Sequence, residues 1–508
     1  MRGGPPARHR GVKNLDNLDN CDIAIVGAGV IGCAIARELS RFELKICVFE
    51  KEQDVGFGTS CRNSGVLHSG INYQPGTNRA WLNVKGNAMM DKLCAELKVP
   101  IKRIGKLTVA LAEEDLSGLH KQHEQGKANG VRGMEFMKNE LMQKIQPGVA
   151  GILGLWTPSS AIISPYGLTI ALAENAAEND VKFYLGRAVT GIQWNAAGCF
   201  ELEITGSHKV CARMVINSAG LHADEVSGFA GADAPRIWAC RGEYYVLDRR
   251  LEGSLKTLIY PVPGPNDPGL GIHLTPTVDG NILIGPSAVY IPDDDRENYS
   301  VTKEVLPALR QEGQRIFPNL KAADFIRNFA GNRPKLSPPE IGGNTEFIIE
   351  EAKKLPGFIQ LLGMESPGLT SAPAIAEYVL GLVRKRFELT PKADFIAERK
   401  GFAGHFSDLP EEQRMDMISD EPEYGEIICR CEKITKKEVR SAIENPLGAH
   451  ALLSLKYRAR TMMGRCQGGF CVPRIIRMLR DEYCYEPERY VLRGEESPMF
   501  AGFVRDVR

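Results

Sequence analysis

The chain has 508 residues, room for two to four domains, and its 43% hydrophobic and 25% charged residues are an ordinary globular balance. Lysine plus arginine and aspartate plus glutamate each total 63, so the formal charge is zero and no basic excess marks a nucleic-acid surface. A local cationic pocket for a small anion stays open.

Residues 1–20, "MRGGPPARHRGVKNLDNLDN", lack the apolar stretch of a signal peptide. Their acidic "NLDNLDN" and missing amphipathic pattern read as a disordered tail rather than a transit segment. No apolar run reaches membrane-spanning length, so a cytoplasmic chain is expected. Thirteen cysteines are too sparse for a secreted disulfide scaffold. Nine of them, Cys33, Cys94 and Cys211 included, stand singly and read as small core residues in a reducing compartment.

Residues 22–40, "DIAIVGAGVIGCAIARELS", pass from an apolar strand through a glycine turn into a helix. Gly27, Gly29 and Gly32 fill the positions of G-x-G-x-x-G, which allow a tight turn, a close pyrophosphate and close helix packing. The next strand, "KICVFE", ends in Glu50, a carboxylate placed to accept bonds from ribose hydroxyls, with Lys51 beside it. The following "GFGTSCRNSG" offers Thr59, Ser60, Asn63 and Ser64 for a second pass along a cofactor. That favours FAD over NAD, whose domain continues more simply into another βαβ unit.

Further along, "DVKFYLGRAVTGIQW" reads as strands reaching the adenosine end at Val189. "ARMVINSAGLHADEV" reads as a strand returning to the cofactor at Ala219 and Gly220. "RGEYYVLD" and "TPTVDGNILIGPSA" are strand-rich, with a hairpin turn at Asp279-Gly280. "IRNFAGNRPKLSP" sets Arg333 before Pro334, in extended or loop backbone. "GMESPGLTSAPAIAEYVLGLV" is a glycine turn entering a helix at Gly368, Leu369 and Thr370, with Thr370 or Ser371 as cap and Pro373 in the first turn. Such a helix start can face a flavin ring and favour the negative charge that builds there on reduction.

Residues 384–426 are polar and read as a connection, with one helix at "LPEEQRMDMI". Cys429 and Cys431 then form C-x-C, and after thirty-four intervening residues come Cys466 and Cys471 in "GRCQGGFC". Four thiolates can hold a [2Fe–2S] cluster or one zinc ion. Structural zinc more often uses C-x-x-C, so the cluster is the favoured reading, and cysteines without any metal are the plain alternative. Gly464, Gly468 and Gly469 can free backbone N–H groups to point at sulfur.

The expected fold is α/β: a Rossmann-like FAD-binding domain interleaved with a strand-rich α+β substrate domain, plus a small helical cysteine-ligated domain. Residues 21–388 form the oxidoreductase body, with the substrate domain mainly at about 96–165 and 236–344. A linker at 389–424, the cysteine domain at 425–485 and a tail at 486–508 follow.

From about residue 21 to 388 the chain resembles the D-amino-acid-oxidase-like FAD-dependent oxidoreductases. "IICRCEKIT" with "GRCQGGFCVPRI" resembles the bacterioferritin-associated-ferredoxin-type [2Fe–2S] domain. The two in this order are similar to the catalytic subunits of anaerobic glycerol-3-phosphate dehydrogenases. Those subunits carry a histidine where this chain has Ser64, and "RNSGVLHSGINYQPGTNRAWLNVKG" is as similar to L-2-hydroxyglutarate oxidases. The resemblance implies oxidation of an anionic secondary alcohol by FAD: glycerol 3-phosphate first, L-2-hydroxyglutarate second, an amine or amino acid third. It implies His68 of "VLHSG" as a base of near-neutral pKa and Arg333 as the holder of the substrate's carboxylate or phosphate, with Arg241, Tyr244 and His273 as weaker candidates. Electrons would leave through the cluster to an accepting protein subunit, and any peripheral membrane association would come through that partner. A reading of another class makes the cysteine module a redox sensor or metal-delivery device; the "HSG" segment and Arg333 speak against it.

Overall fold

The computed structural model describes residues 18–264, 271–318, 320–343, 345–400, 404–486 and 489–502. The tail expected at 1–20 lies outside the described residues up to residue 17, as do residues 503–508.

An eight-stranded sheet carries the N-terminal motif. Its centre is β1 (Cys21–Val26), parallel to β2 (Ile46–Glu50) on one side and to His208–Asn217 on the other. The sequence of β1, CDIAIV, alternates little because both of its faces are covered, as in parallel sheets generally. Ile23 and Ile25 point into a core shared with α1 (Val30–Leu39) and the helix Gly368–Val383, while Ala24 and Val26 face a second core with Phe200 and Phe358. An antiparallel meander, Val189–Trp194 and Phe200–Ile204, extends the sheet beyond His208–Asn217.

A nine-stranded sheet, largely antiparallel, draws its strands from residues 106–157 and 238–335. Its longest pair joins Trp238–Leu247 to Phe325–Lys335, with Cys240 opposite Arg333 and Gly242 opposite Gly331. A Cβ on Gly331 would meet the Arg62 carbonyl oxygen at 2.0 Å, so this glycine lets the strand lie directly on the loop after β2. The Asp279-Gly280 turn joins His273–Pro276 to Ile282–Gly285 with Gly280 at φ +88°. Helix α2 (Asn78–Leu97), capped by Thr77, crosses the helix Gly368–Val383 at Gly86, where a Cβ would lie 2.2 Å from the Thr370 carbonyl oxygen.

After the helix Glu411–Asp420, the cysteine module has its own core, with Ile428, Ile434, Val439, Leu455 and Ile475 at its centre. Its helix Lys436–Ile443 begins with a Thr435/Glu438 capping box. Ion pairs fix the module to the body: Arg458 to Asp54 and Glu174, Arg460 to Asp279, and Arg493 to Glu52. Two expectations change here. Within the stretch expected as a tail at 486–508, the described residues 489–502 pack on the module, with Tyr490 buried in its core and Met499 against it, while Arg493 reaches the body. Cys199 and Cys211, expected as single core residues, form a disulfide with Cα atoms 5.9 Å apart, brought together by the pairing of neighbouring antiparallel strands.

Candidate active site

The turn after β1 has no space for side chains. A Cβ on Gly27 would lie 2.7 Å from the Ser218 carbonyl oxygen, one on Gly32 2.1 Å from the Gly27 oxygen, and Gly27 holds φ +97°. Gly29 begins α1 without a side-chain cap of its own, and Ser60 Oγ serves instead, accepting from Val30 N at 2.9 Å. Glu50 accepts from Ala28 N at 2.7 Å and Glu52 N at 2.9 Å; burial raises the pKa of its carboxyl and these two bonds oppose the rise. The carboxylate is thereby fixed beside the glycine turn.

One cavity runs from Gly27, Gly29 and Glu50 past Ala219 and Gly220 to the helix start at Gly368, Leu369 and Thr370. Its empty space, solvent at the mouth included, is about 1670 Å³, far more than a small acid requires. Lys51 stands on its rim, paired with Glu297 and 3.1 Å from His222 Nε2. Thr59, Ser60, Asn63 and Ser64 line it too, but Thr59 Oγ1 is engaged with the Asn332 carbonyl at 2.6 Å. Val189 is buried at the edge of the meander and does not line the cavity. The long shape, the glycine turn that excludes a Cβ and the fixed carboxylate fit an extended dinucleotide.

The helix start differs from expectation. The helix begins at Gly368 with Pro367 as N-cap, so Thr370 and Ser371 are already inside it and Pro373 is an interior residue. Thr370 Oγ1 instead accepts from His68 N at 3.0 Å, which ties the "HSG" segment to the helix.

His68 and Arg333 line the same cavity. His68 Nε2 lies 3.3 Å from Ser366 Oγ, which is 3.1 Å from Tyr73 OH, while Nδ1 has no protein partner among the described residues. Burial first, then the positive charges of Lys106 and Arg79 and the His273 ring, push His68 down to about 3. The near-neutral pKa expected for it is therefore overturned; the imidazole is held neutral. Arg333 is anchored through its own strand pairing: Nη2 donates to the Ser287 carbonyl at 2.6 Å and Nε to the Cys240 carbonyl at 3.3 Å. Its Nη1 makes no hydrogen bond among the described residues.

Of the weaker candidates, Tyr244 lines the cavity, stacked on Phe329 at 4.7 Å, and so does His273, stacked on Tyr260 at 3.8 Å. Arg241 does not. It alternates with Gly242 and Tyr244 along one strand, so its side chain leaves by the other face and donates to the Ser300 carbonyl at 3.0 Å. Several residues escaped sequence reading. Tyr73 and Ser366 hold His68, and the buried group Arg79, Glu365 and Lys335 backs the same wall. Glu365 and Ser366 sat inside "ESPGLT", where only the glycine turn was legible.

At the far end, the four cysteines assemble as two pairs, Cys429 with Cys471 and Cys431 with Cys466. Backbone N–H groups converge on the sulfurs: Gly468 and Phe470 on Cys466, Glu432 and Met462 on Cys429. Gly464 leaves room for Cys431, since a Cβ there would lie 2.2 Å from the Cys431 Cβ. Gly469 differs from expectation, its N–H going to the Cys466 carbonyl. Among the described residues no set of three or more His, Cys, Asp or Glu converges as one metal site. Two thiol pairs with N–H bonds to sulfur suit a two-iron cluster better than a single tetrahedral zinc.

The profile of the FAD dependent oxidoreductase family matches residues 22–382, well over half of the chain. The chain belongs to that family. This FAD-dependent oxidoreductase also carries a BFD-like [2Fe-2S] binding domain at residues 427–481, so its cofactors are FAD and a [2Fe–2S] cluster. It is 39% identical to a glycerol 3-phosphate dehydrogenase of Caloramator mitchellensis over 95% of this chain and 98% of that one. It is 30% identical to the mitochondrial L-2-hydroxyglutarate dehydrogenase of Caenorhabditis elegans over 76% of this chain and 97% of the other. The solved FAD-bound L-alpha-glycerophosphate oxidase of Mycoplasma pneumoniae superposes with a TM-score of 0.70 at 30% identity, covering 75% of this chain and 99% of the other. No helix among the described residues is long and apolar enough to cross a membrane.

Proposed function

We propose that this oxidoreductase is a dehydrogenase of glycerol 3-phosphate that sends electrons through its cysteine-held cluster to an external protein acceptor. The observation that carries the reading is that one cavity joins the glycine cradle to a neutral His68 and an anchored Arg333. The relative that spans both modules supports glycerol 3-phosphate as the substrate. FAD, when bound, supplies the hydride acceptor, and the cluster supplies a one-electron way out.

The chain's own residues do the rest. Arg333 offers Nη1 to the substrate's anionic group, while the carbonyl oxygens of Cys240 and Ser287 keep the guanidinium plane in place. With Nε2 donating to Ser366 Oγ, His68 keeps the lone pair of Nδ1 for the proton of the substrate hydroxyl. The stacked pairs Tyr244–Phe329 and Tyr260–His273 wall that end with aromatic surface and limit water there. L-2-hydroxyglutarate is the second reading, favoured by the 30% identical relative that matches the body.

The test is an anaerobic visible-spectrum titration of the holoprotein with each compound. Glycerol 3-phosphate should bleach the flavin and then the cluster absorbance. Bleaching by L-2-hydroxyglutarate alone would replace the substrate, and bleaching by neither, of a flavin that dithionite reduces, would end both readings.

A further inference from the structure

Near the junction of the body and the cysteine module lie several cations, most of which form no ion pair among the described residues. Lys456, on the helix Leu452–Ala459, is buried, with 7% of its surface exposed, and has no hydrogen bond or ion pair among the described residues. Its charged neighbours are Arg327 and Arg62 on the body side, Arg460, and the Cys471 thiol on the module side. Arg62 lines the flavin cavity, and its guanidinium lies over the Tyr299 ring at 4.1 Å with Nε unpartnered. Arg327 comes from the strand Phe325–Lys335 and donates to Gln467 Oε1, one residue beyond Cys466. Gln467 Nε2 in turn donates to the Gly464 carbonyl at 2.8 Å, inside the cysteine loop. Arg460 is already matched by Asp279 and Glu432, whereas Lys456, Arg62 and Arg327 form no ion pair with a carboxylate among the described residues.

A buried ammonium among like charges is costly unless an anion stands near it. The anion this place offers is the four-thiolate cluster itself, which is negative when oxidised and gains one more charge on reduction. A nearby fixed cation favours the reduced form, and net charge with its surroundings is among the factors that set such potentials.

We propose that Lys456, flanked by Arg327 and Arg62, is the countercharge that raises the cluster's reduction potential so that it accepts electrons arriving from the flavin side. This rests on the reading that the module holds an electron-accepting cluster. Lys456 acts through the cluster and is a positioning residue, not a catalytic one. Arg327 has a second part, because its bond to Gln467 links the body to the loop that carries Cys466 and Cys471.

The test is a dye-mediated anaerobic redox titration of the full-length holoprotein. The cluster is followed by its paramagnetic signal and the flavin by its absorbance. In Lys456→Met the cluster should be reduced about tenfold less readily, a fall of about 59 mV for one electron. Lys456→Arg should restore it to within about threefold, Arg327→Gln should give a smaller fall, and the flavin potential should stay put. The proposal is overturned if the Lys456→Met cluster titrates like wild type, or if flavin and cluster shift together. Should Lys456→Met fail to retain iron, Arg327→Gln decides: no shift there overturns the proposal. A wild-type chain that holds no reducible cluster would instead overturn the electron-exit reading, and this inference with it.

Discussion

His68, half-buried, and His273, buried, line the flavin-side cavity with no carboxylate paired to either among the described residues, and desolvation holds both near 3. At the junction with the cysteine module, Arg458 is just as buried, yet Asp54 and Glu174 stand against it. The two regions settle the cost of burial differently. The cavity keeps its titratable rings neutral, which leaves lone pairs free for a proton. The junction keeps its charges and pairs them, which fixes one body against the other. Chemistry needs an unengaged group, whereas docking needs an engaged one.

Three changes break or sharpen that contrast. Arg458→Ala leaves the Asp54 and Glu174 carboxylates buried without this partner, and is expected to cost about 3–5 kcal/mol, the usual toll of removing one member of a buried pair. Thermal unfolding should show it, with the module separating first by limited proteolysis. A loss under about 1 kcal/mol would mean the junction is solvated like a surface pair. His68→Asn is expected to slow substrate-dependent flavin bleaching by about 10²–10⁴-fold while leaving dithionite reduction of the flavin intact. Unchanged bleaching would remove His68 from the proton's path.

The smallest effect concerns acid stability. In the native state both rings stay neutral down to about pH 3, whereas in the unfolded chain they protonate near 6.5. Unfolding therefore takes up protons below about 6.5, so stability is full above that value and falls as the pH drops toward 3. His273→Phe keeps the stack on Tyr260 and removes one such site. Between pH 7 and 5.5 its stability should decline by about 1.3 kcal/mol less than wild type, the proton linkage of one such group over that window. An identical decline by chemical denaturation would show that His273 is reached by water.

How far the site could be read from the sequence follows the range of the forces involved. The cradle was readable because Gly27, Gly29 and Gly32 answer to clashes within a few residues of chain, and Glu50 follows at a set distance. The grouping of the four cysteines was readable because C-x-C and "GRCQGGFC" fall within one small module, where the structure pairs them. The caps at Thr370 and Ser371 were misread, since a hydroxyl near a helix start normally serves its own helix, and here His68 N claims it from 302 residues away. Arg241 was misread because alternation along a strand assigns a face only once the partner strands are known.

By itself, then, the chain determined the strand–glycine–helix cradle, the strand-rich insertion, the cysteine quartet and the order of the modules, all products of short-range sterics and side-chain periodicity. Tertiary structure alone decided that His68 is neutral, that Arg333 is pinned by carbonyls, that Ser366 and Tyr73 hold the imidazole, and that Lys456 is buried without an ion pair among the described residues. Those properties depend on desolvation and on charges brought together from distant parts of the chain, and neither is written in local spacing.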